Sequence, residues 1–309
     1  MKQIKKNIEM VRSFNAIKAV EDGKYFELIT DETSGLIPVE YRNIFLKTGY
    51  FETLENDASK LTFCKNDQSF KENAITEVIE ALIEADLIPR ANVPRVQYRN
   101  IGGKERLTKP EFVINRAYDG NWGFPLDGVV ILAYKINEEA NKPEFLLQKR
   151  SSKVVFGNSY DFTAGGAIIA PQTVDVALKA QMKDEMGLEV TDAKFSESLS
   201  YSYPRPTKTK QVMRLDQRVY TAEIDDTNPV YHNFEVDGYE WADAETILDY
   251  IREEKFAASH VPAIIATLDK LGMLPEFANK AETLTQLETQ GLRNKTSSNK
   301  VSTGLKPRQ

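Results

Sequence analysis

The sequence contains a single cysteine, Cys64, and only two histidines, His232 and His260. One cysteine excludes a disulfide within the chain, and it cannot build a cysteine zinc site or an iron–sulfur cluster. With so few imidazoles, we expect any chemistry to depend on carboxylates, which favour hard, oxygen-ligated metals. A reducing, cytoplasmic environment fits this cysteine usage.

Long apolar runs and an excess of positive charge are also missing. No stretch approaches the roughly 20 apolar residues of a membrane-spanning helix, and the first residues lack the apolar core of a secretory signal. The formal net charge of −6 argues against a sequence-independent grip on nucleic-acid backbones. We therefore expect a soluble protein with a small-molecule substrate, without a membrane or nucleic-acid partner; the sequence does not indicate its oligomeric state.

The 309 residues, 41% of them apolar, suffice for two domains and a tail. We predict an α+β amino-terminal domain over residues 1–108. In it KYFELIT alternates like a strand, Gly35 and Pro38 indicate a turn, and ENAITEVIEALIEADLI has helical spacing and ends before Pro89. The last segment, 279–309, is rich in Ser, Thr, Asn and Lys and is predicted to be disordered.

Residues 109–278 have the pattern of an α/β domain. GVVILAYKI and EFLLQKR predict a buried β-hairpin, and a Gly-Gly step precedes a helix from about Thr173 to Met186 that Gly187 ends. Further strands are predicted in KFSESLSYSY, MRLDQRVYTAEI and YEWADA. A last helix follows, with Pro262 in its first turn.

Three polar side chains share one face of the first of these helices. Gln181, Asp184 and Glu185 stand at i, i+3 and i+4 and border an apolar stripe, so we expect them at the rim of a pocket. The stripe consists of Leu178, Met182 and Met186. Two carboxylates and an amide oxygen there suit Mg²⁺ or Mn²⁺. Spacing alone also allows the bland reading, in which these are solvated charges.

This region resembles the signature of the Nudix hydrolases, G-x5-E-x7-R-E-U-x-E-E-x-G-U with U aliphatic. Gly166 and Gly187 match its two glycines at full spacing, and Asp184 with Glu185 fills its final acidic pair. Met182 and Leu188 match its apolar positions. The sequence departs from the signature at Gln172, Ala180 and Gln181, which replace Glu, Arg and Glu.

Blocks outside the signature narrow the resemblance. EFVINRAYDGNWGF, DGVVILAY, LLQKRSSKVVFGNSYDFTAGG and FEVDGYEW are similar to Nudix proteins related to the Nudix part of fungal thiamine pyrophosphokinase. Those proteins carry an amino-terminal domain of about 100 residues. The segment from SGLIPVEYRNIF to VPRVQYRN is similar to that domain, so the resemblance spans roughly residues 5 to 275. It implies a Nudix fold, with a mixed sheet between helices, and Mg²⁺-dependent hydrolysis of thiamine diphosphate or its oxidised derivatives.

This chain also departs from that subgroup in a direction that makes the pocket more apolar. Val130 and Leu132 stand where His and Asn are usual, and residues 256–259 read FAAS in place of an FKPN-like block. Gln181 is neutral, so the expected cation site has one negative charge fewer than it would have with Glu. Its amide oxygen can still coordinate, but only weakly. The resemblance therefore implies weak or altered hydrolysis.

The candidate site residues form three groups. The catalytic and metal-binding candidates are Glu185, Asp184 and Gln181. The substrate-binding candidates are Arg116, Arg150 and Lys153, for phosphates, and Tyr201 and Tyr203, which share a strand face and suit a heteroaromatic ring. The candidates for a displaced base or ligand are Asp175, Asp216, Glu235, Asp237 and Glu240, each also readable as a solvated acid.

Three functions remain open at this point. The first is Nudix-type hydrolysis of a thiamine-diphosphate-like or nucleoside-diphosphate-like molecule. The second is a repurposed isomerase, cyclase or lyase acting on an apolar metabolite, which the loss of charge and polarity favours. The third is a non-catalytic ligand-binding protein, in which the same losses are harmless. A fold alone does not choose among them, because function is set by the site.

Overall fold

The computed structural model describes residues 22–92, 96–103, 105–154, 156–188, 194–206, 212–225, 234–257 and 260–274, with the backbone alone described over 201–206 and 212–213. The predicted disordered tail lies outside these residues. In this part of the chain, no helix is long and apolar enough to cross a membrane.

The amino-terminal segment is a four-stranded sheet with two helices and a following hairpin. The strand order is β2-β1-β4-β3, with β1 and β4 parallel and the other pairs antiparallel. Its elements are β1 Tyr25–Ile29, β2 Ser34–Pro38, a 3-10 turn Val39–Tyr41, α1 Arg42–Thr48, β3 Phe51–Leu54, β4 Asp57–Phe63, α2 Gln68–Glu84, β5 Tyr98–Ile101 and β6 Phe112–Asn115. The strand predicted in KYFELIT is confirmed as β1.

The turn predicted at Gly35 and Pro38 is wrong, because both residues belong to β2. Gly35 is required there by a close approach. A Cβ on Gly35 would lie 2.1 Å from the backbone oxygen of Trp122. A glycine inside a strand thus marks contact with another backbone, which from sequence alone resembles a turn.

Residues 102–111, predicted to be a polar turn, connect the paired strands β5 and β6. The proposed domain boundary near residue 108 falls inside this hairpin. One buried apolar cluster continues from the first sheet, through Phe45 and Phe112, to Trp122 and Phe124. The two-domain division stays a proposal.

The carboxyl-terminal part is built on a seven-stranded mixed sheet. Its order is β11-β12-β7-β8-β13, with β10 paired to β7 and β9 to β8, and only the β12–β7 pair is parallel. The elements are a 3-10 turn Arg116–Asn121, β7 Pro125–Asn137, β8 Lys142–Arg150, β9 Tyr160–Asp161, β10 Ala164–Ala167, α3 Val174–Met186, β11 Phe195–Pro206, β12 Val212–Glu223, β13 Val236–Ala242, α4 Ala244–Arg252 and α5 Val261–Lys270.

Helices cover both faces of this sheet. Along β7, Val129 and Ile131 pack in the cluster that contains α3, whereas Val130 and Leu132 belong to the cluster that contains α4 and α5. Successive side chains of a strand point to opposite faces, so a continuous apolar run is what a doubly covered strand requires. The predicted α/β fold, a mixed sheet between helices, is confirmed.

Helix α3 is fixed at both ends by its sequence. The Oγ1 of Thr173 accepts from the Val176 amide at 3.4 Å, and Gly187 follows the last turn with φ of 72°, a left-handed conformation that suits glycine. Leu178, Met182 and Met186 are buried, as the apolar stripe predicts. The helix predicted from Thr173 to Met186 is therefore confirmed.

Candidate functional site

A cavity of about 130 Å³ lies where β8 separates from β7. Residues 134–137 of β7 pair with residues 142–145 of β8, whereas residues 128–131 of β7 pair with β10. The opening between these strands is closed on its sides by α3, β12 and the start of α5. The cavity is lined by Val130, Gln148, Arg150, Asp161, Phe162, Ala164, Gly165, Gly166, Glu185, Leu215, Gln217 and His260.

Of the three polar α3 candidates, Gln181, Asp184 and Glu185, only Glu185 lines this cavity. Its side chain is buried, and its Oε2 accepts a hydrogen bond from Gln148 Nε2 at 2.7 Å. Burial raises the pKa of Glu185 to about 8, although the bonds from Gln148 and the Gly165 backbone lower it. Burial disfavours the charged form, so near neutral pH without a cation this carboxyl is largely protonated.

The Gln181 amide lies between two oxygens of the same site. One of its terminal atoms is 3.2 Å from the Gly165 carbonyl oxygen and 3.3 Å from Glu185 Oε1. With the amide nitrogen on that side, Gln181 donates to both oxygens. With Oε1 on that side, the amide offers an oxygen beside the Gly165 and Glu185 oxygens.

This oxygen set fits a divalent cation in a limited way. Oxygens around one octahedral Mg²⁺ lie roughly 3 Å apart, given Mg–O distances of about 2.1 Å. With Oε1 turned to that side, the Gln181 oxygen lies 3.2 Å from the Gly165 oxygen and 3.3 Å from Glu185 Oε1, which is close to that spacing. Among the described residues, however, no three His, Cys, Asp or Glu side chains gather as a metal site. Since Mg²⁺ is commonly bound by one or two carboxylates together with substrate phosphates, the set fits a cation that arrives with its phosphate ligand.

A second polar group enters the cavity from β9 and α5. Asp161 is buried, its Oδ2 lies 3.1 Å from Arg150 Nη1, and its Oδ1 is bonded to His260 Nδ1. Burial alone would raise the pKa of Asp161, but His260, Arg150 and the Phe162 amide lower it further than burial raises it. Asp161 is therefore ionised, and it holds two cationic or polar side chains at the cavity wall.

The remaining wall is mostly apolar. Val130 and Leu215 line it, whereas Leu132 lies in the core and does not line it. Gln217 is the polar exception. It is buried on β12 beside Gly128, and its Oε1 has no hydrogen-bond partner within the described structure. Gln217 thus offers a free acceptor to whatever fills the cavity.

Among the other candidate residues, Arg150 is the exception, and the rest lie apart from this cavity or outside the described side chains. Arg150 lines it. Arg116 and Lys153 are exposed and do not line it, and Arg116 donates to Gln97 at 2.6 Å. Asp184 is exposed on α3. Tyr201 and Tyr203 have described backbone on β11 only. The roles of these residues remain predictions.

The five acids considered as a displaced base have other surroundings. Asp216 pairs with Arg106 at 2.8 Å, and Glu240 accepts hydrogen bonds from the hydroxyls of Tyr160 and Tyr250. Asp175 and Asp237 are exposed. Glu235 is exposed as well, but its charge contributes to the raised pKa of Glu185.

Four polar residues of the cavity wall were not identified as site residues from the sequence: Gln148, Asp161, Gln217 and His260. Gln148 directly follows the apolar residues Phe145–Leu147 of β8, which was the available signal for it, whereas Gln217 stands between Asp216 and Arg218 on β12 and has no such signal. For His260 the signal was its rarity, as one of two histidines in the chain. Nothing in the sequence pairs it with Asp161, which lies 99 positions earlier.

No family model matches the sequence, and no curated protein matches it. Solved structures do. DR0079 from Deinococcus radiodurans is 20% identical, and the match covers 53% of this chain and 94% of that chain with a TM-score of 0.39. The NUDIX domain of Shewanella oneidensis NrtR, solved with ADP ribose, is 13% identical over 48% of this chain and 88% of that chain, with a TM-score of 0.39. A C. elegans Ap4A hydrolase is 15% identical over 48% and 99%, with a TM-score of 0.37. Likeness at these identities and scores does not assign a family or an activity to this chain.

Proposed function

We propose that this chain is a Nudix-type hydrolase that slowly cleaves the pyrophosphate bond of a small molecule resembling thiamine diphosphate or a nucleoside diphosphate. One observation carries the proposal. Glu185, which fills the last acidic position of the Nudix signature, is buried on α3 and lines a cavity beside the Gly165–Gly166 strand. A solvated surface acid, the alternative reading of the spacing, would be exposed.

The chain's own residues divide the work of such a reaction. Glu185, Gln181 Oε1 and the Gly165 carbonyl would hold Mg²⁺ or Mn²⁺, which offsets phosphate charge and activates water when bound. Gln148 orients the Glu185 carboxyl through its 2.7 Å hydrogen bond. Arg150, held by Asp161, presents positive charge to the cavity wall.

The slow rate follows from the charge of the site. Gln181 is neutral, so one carboxylate faces the cation instead of two, and that carboxylate must lose its proton first. A cation must therefore repay the cost of ionising a buried group, which weakens its binding. Ala180 cannot position the preceding loop as an arginine would, so the site is also less preorganised.

The test is phosphate release from thiamine diphosphate, oxidised thiamine diphosphates and a nucleoside-diphosphate panel, with Mg²⁺ or Mn²⁺. Glu185→Gln removes the carboxylate and keeps its size, and Glu138→Gln makes the same change in the exposed turn between β7 and β8. We expect turnover in the wild type and in Glu138→Gln, and its loss in Glu185→Gln. No turnover with any substrate would refute the proposed hydrolysis.

A further inference from the structure

The second polar group of the cavity has the arrangement of a base held by a carboxylate. His260 precedes α5 and lines the cavity, and its Nδ1 is bonded to the buried Asp161. Arg150, from β8, lies on the other oxygen of Asp161 at 3.1 Å. Glu185, from α3, lines the same cavity. Four elements, β8, β9, α3 and the start of α5, thus place ionisable groups around one small space.

The ionised state of Asp161 fixes the hydrogen of the imidazole. An ionised carboxylate only accepts hydrogen bonds, so Nδ1 carries the hydrogen and donates it to Oδ1. In the neutral ring the lone pair then lies on Nε2. No group within the described residues is bonded to Nε2. The free nitrogen is the one available to a ligand in the cavity.

A purely structural role for His260 accounts for less of this geometry. The side chain does not cap α5. Its ring meets Phe162 edge-on at 5.6 Å, and its bond to Asp161 connects α5 to β9. Such a connection needs only Nδ1. It explains neither the open Nε2 nor the unpartnered Oε1 of Gln217, which is buried and lines the same cavity.

We propose that His260 is the general base of the pocket and that Asp161 is its positioning residue. The proposal rests on the proposed hydrolysis. Nε2 takes a proton from a water molecule as the water oxygen forms a bond to phosphorus. The bond from that phosphorus to the bridging oxygen breaks, and the bridging oxygen leaves with the electron pair. The proton on Nε2 then passes to the departing phosphate or to solvent, which restores the neutral ring.

The first test measures which ring nitrogen of His260 carries the hydrogen. His232→Gln leaves His260 as the only histidine, so its two nitrogens give isolated signals in ¹⁵N NMR. In the neutral ring we expect the hydrogen on Nδ1 and not on Nε2, and we expect inorganic pyrophosphate with Mg²⁺ to shift the Nε2 signal. Asp161→Asn should populate the opposite tautomer, because its amide can donate to Nδ1. A neutral ring in the His232→Gln protein with its hydrogen on Nε2, or an Nε2 signal that pyrophosphate leaves unmoved, overturns the proposal.

The second test measures kcat and KM of the hydrolysis. General-base loss typically lowers rates by about 10²–10⁴-fold, so we expect His260→Gln to lower kcat by about 100-fold or more with little change in KM. Asp161→Asn should lower kcat together with the tautomer change. Turnover that depends on Glu185 but not on His260 overturns this proposal alone. A shifted Nε2 signal in a protein without turnover refutes the hydrolysis and leaves His260 as a phosphate contact.

Discussion

At the scale of single residues, Gln181 sets the charge that the cavity presents to a cation. Gln181→Glu adds a carboxylate beside Glu185 Oε1 and the Gly165 carbonyl, both within 3.3 Å of the present amide. A unit charge at about 4 Å contributes roughly 4 kcal/mol at an effective dielectric of 20, and repulsion from Glu185 offsets part of this. We expect Mn²⁺ to bind at least about tenfold tighter, as measured by titration calorimetry.

The control for this gain is Val176→Glu. It adds the same charge to α3 at a side chain that is 48% exposed and does not line the cavity. Its Mn²⁺ affinity should match the wild type. Equal gains in both variants would mean that bulk charge, and not the geometry of the cavity, attracts the cation.

Glu185 should give the protein a characteristic pH dependence of stability. Its pKa is raised from 4.5 to about 8 by burial, so between these values the folded state binds the proton that the unfolded state has lost. The free energy of unfolding therefore falls as pH rises through this window, by at most about 5 kcal/mol, and levels off above it. Glu185→Gln should remove this slope.

The measurement is denaturant unfolding of both proteins in a chelator at several pH values. Chelation is needed because a bound cation stabilises the ionised carboxylate. The difference between wild type and variant isolates Glu185 from the other titrating groups. A difference that stays constant between pH 5 and pH 8 would contradict the burial of this carboxyl.

Of the residues that line this cavity, Glu185 and Arg150 were predicted from the sequence as site residues. Glu185 and Gln181 were predicted because a helix brings i and i+4 together, which is a local relation. Asp161 and His260 meet through tertiary packing, and Gln148 reaches Glu185 across 37 positions. Such contacts depend on how β8 leaves β7, and no local pattern contains that information. The spacing that found Glu185 likewise gave no reason to place Asp184 on the exposed side of α3.

At the scale of elements, the shape of the cavity depends on the close pairing of β10 with β7. A Cβ on Gly165 would lie 2.8 Å from Val130 Cγ1 and 3.0 Å from the Val129 oxygen. Val130 is β-branched and buried, so it has little freedom to move. We expect Gly165→Ala to lower the free energy of unfolding by about 1–3 kcal/mol, as overpacking does.

Gly238→Ala is the matched control, since a Cβ there meets nothing within 4 Å. Its free energy of unfolding should stay within about 0.5 kcal/mol of the wild type. Urea unfolding measures both variants. Equal stability of Gly165→Ala and wild type would show that β10 yields more readily than the contacts indicate.

Elements with a strong local pattern were predicted from the sequence, as were the strands β11, β12 and β13, whereas several short elements were not. Apolar runs predict β7 and β8, and an apolar helical stripe followed by Gly187 predicts α3. β2 was read as a turn, and α1, β3, β4 and α4 were not predicted. β4 reads DASKLTF, in which Leu61 and Phe63 are the buried apolar residues. So weak an alternation becomes a strand because β1 and β3 pair with it on both sides.

At the scale of the whole molecule, the segment before β7 supports the sheet that carries the cavity. Arg106 lies between Asp127 on β7 and Asp216 on β12, at 2.5 and 2.8 Å. Arg214 of β12 donates to the Ser34 carbonyl of the first sheet at 3.0 Å. The parallel β12–β7 pair, which forms one wall of the cavity, is thus tied to Arg106 and Ser34, which both precede the predicted boundary.

This shared packing predicts that the described parts of the chain unfold in one transition. Trp122 is fully buried and packs at 5.7 Å from Phe45 of α1, whereas Trp241 lies on β13, so each tryptophan reports a different region. Trp241→Phe and Trp122→Phe leave one reporter each. We expect the remaining fluorescence and the far-ultraviolet circular dichroism to give the same urea midpoint within each variant.

Arg106→Met should shift both fluorescence midpoints down together, because it leaves Asp127 buried without its partner, at a cost of about 3–5 kcal/mol. If the Trp122 signal changed first while Trp241 stayed native, the amino-terminal segment would be a separate folding unit and the cavity would not depend on it.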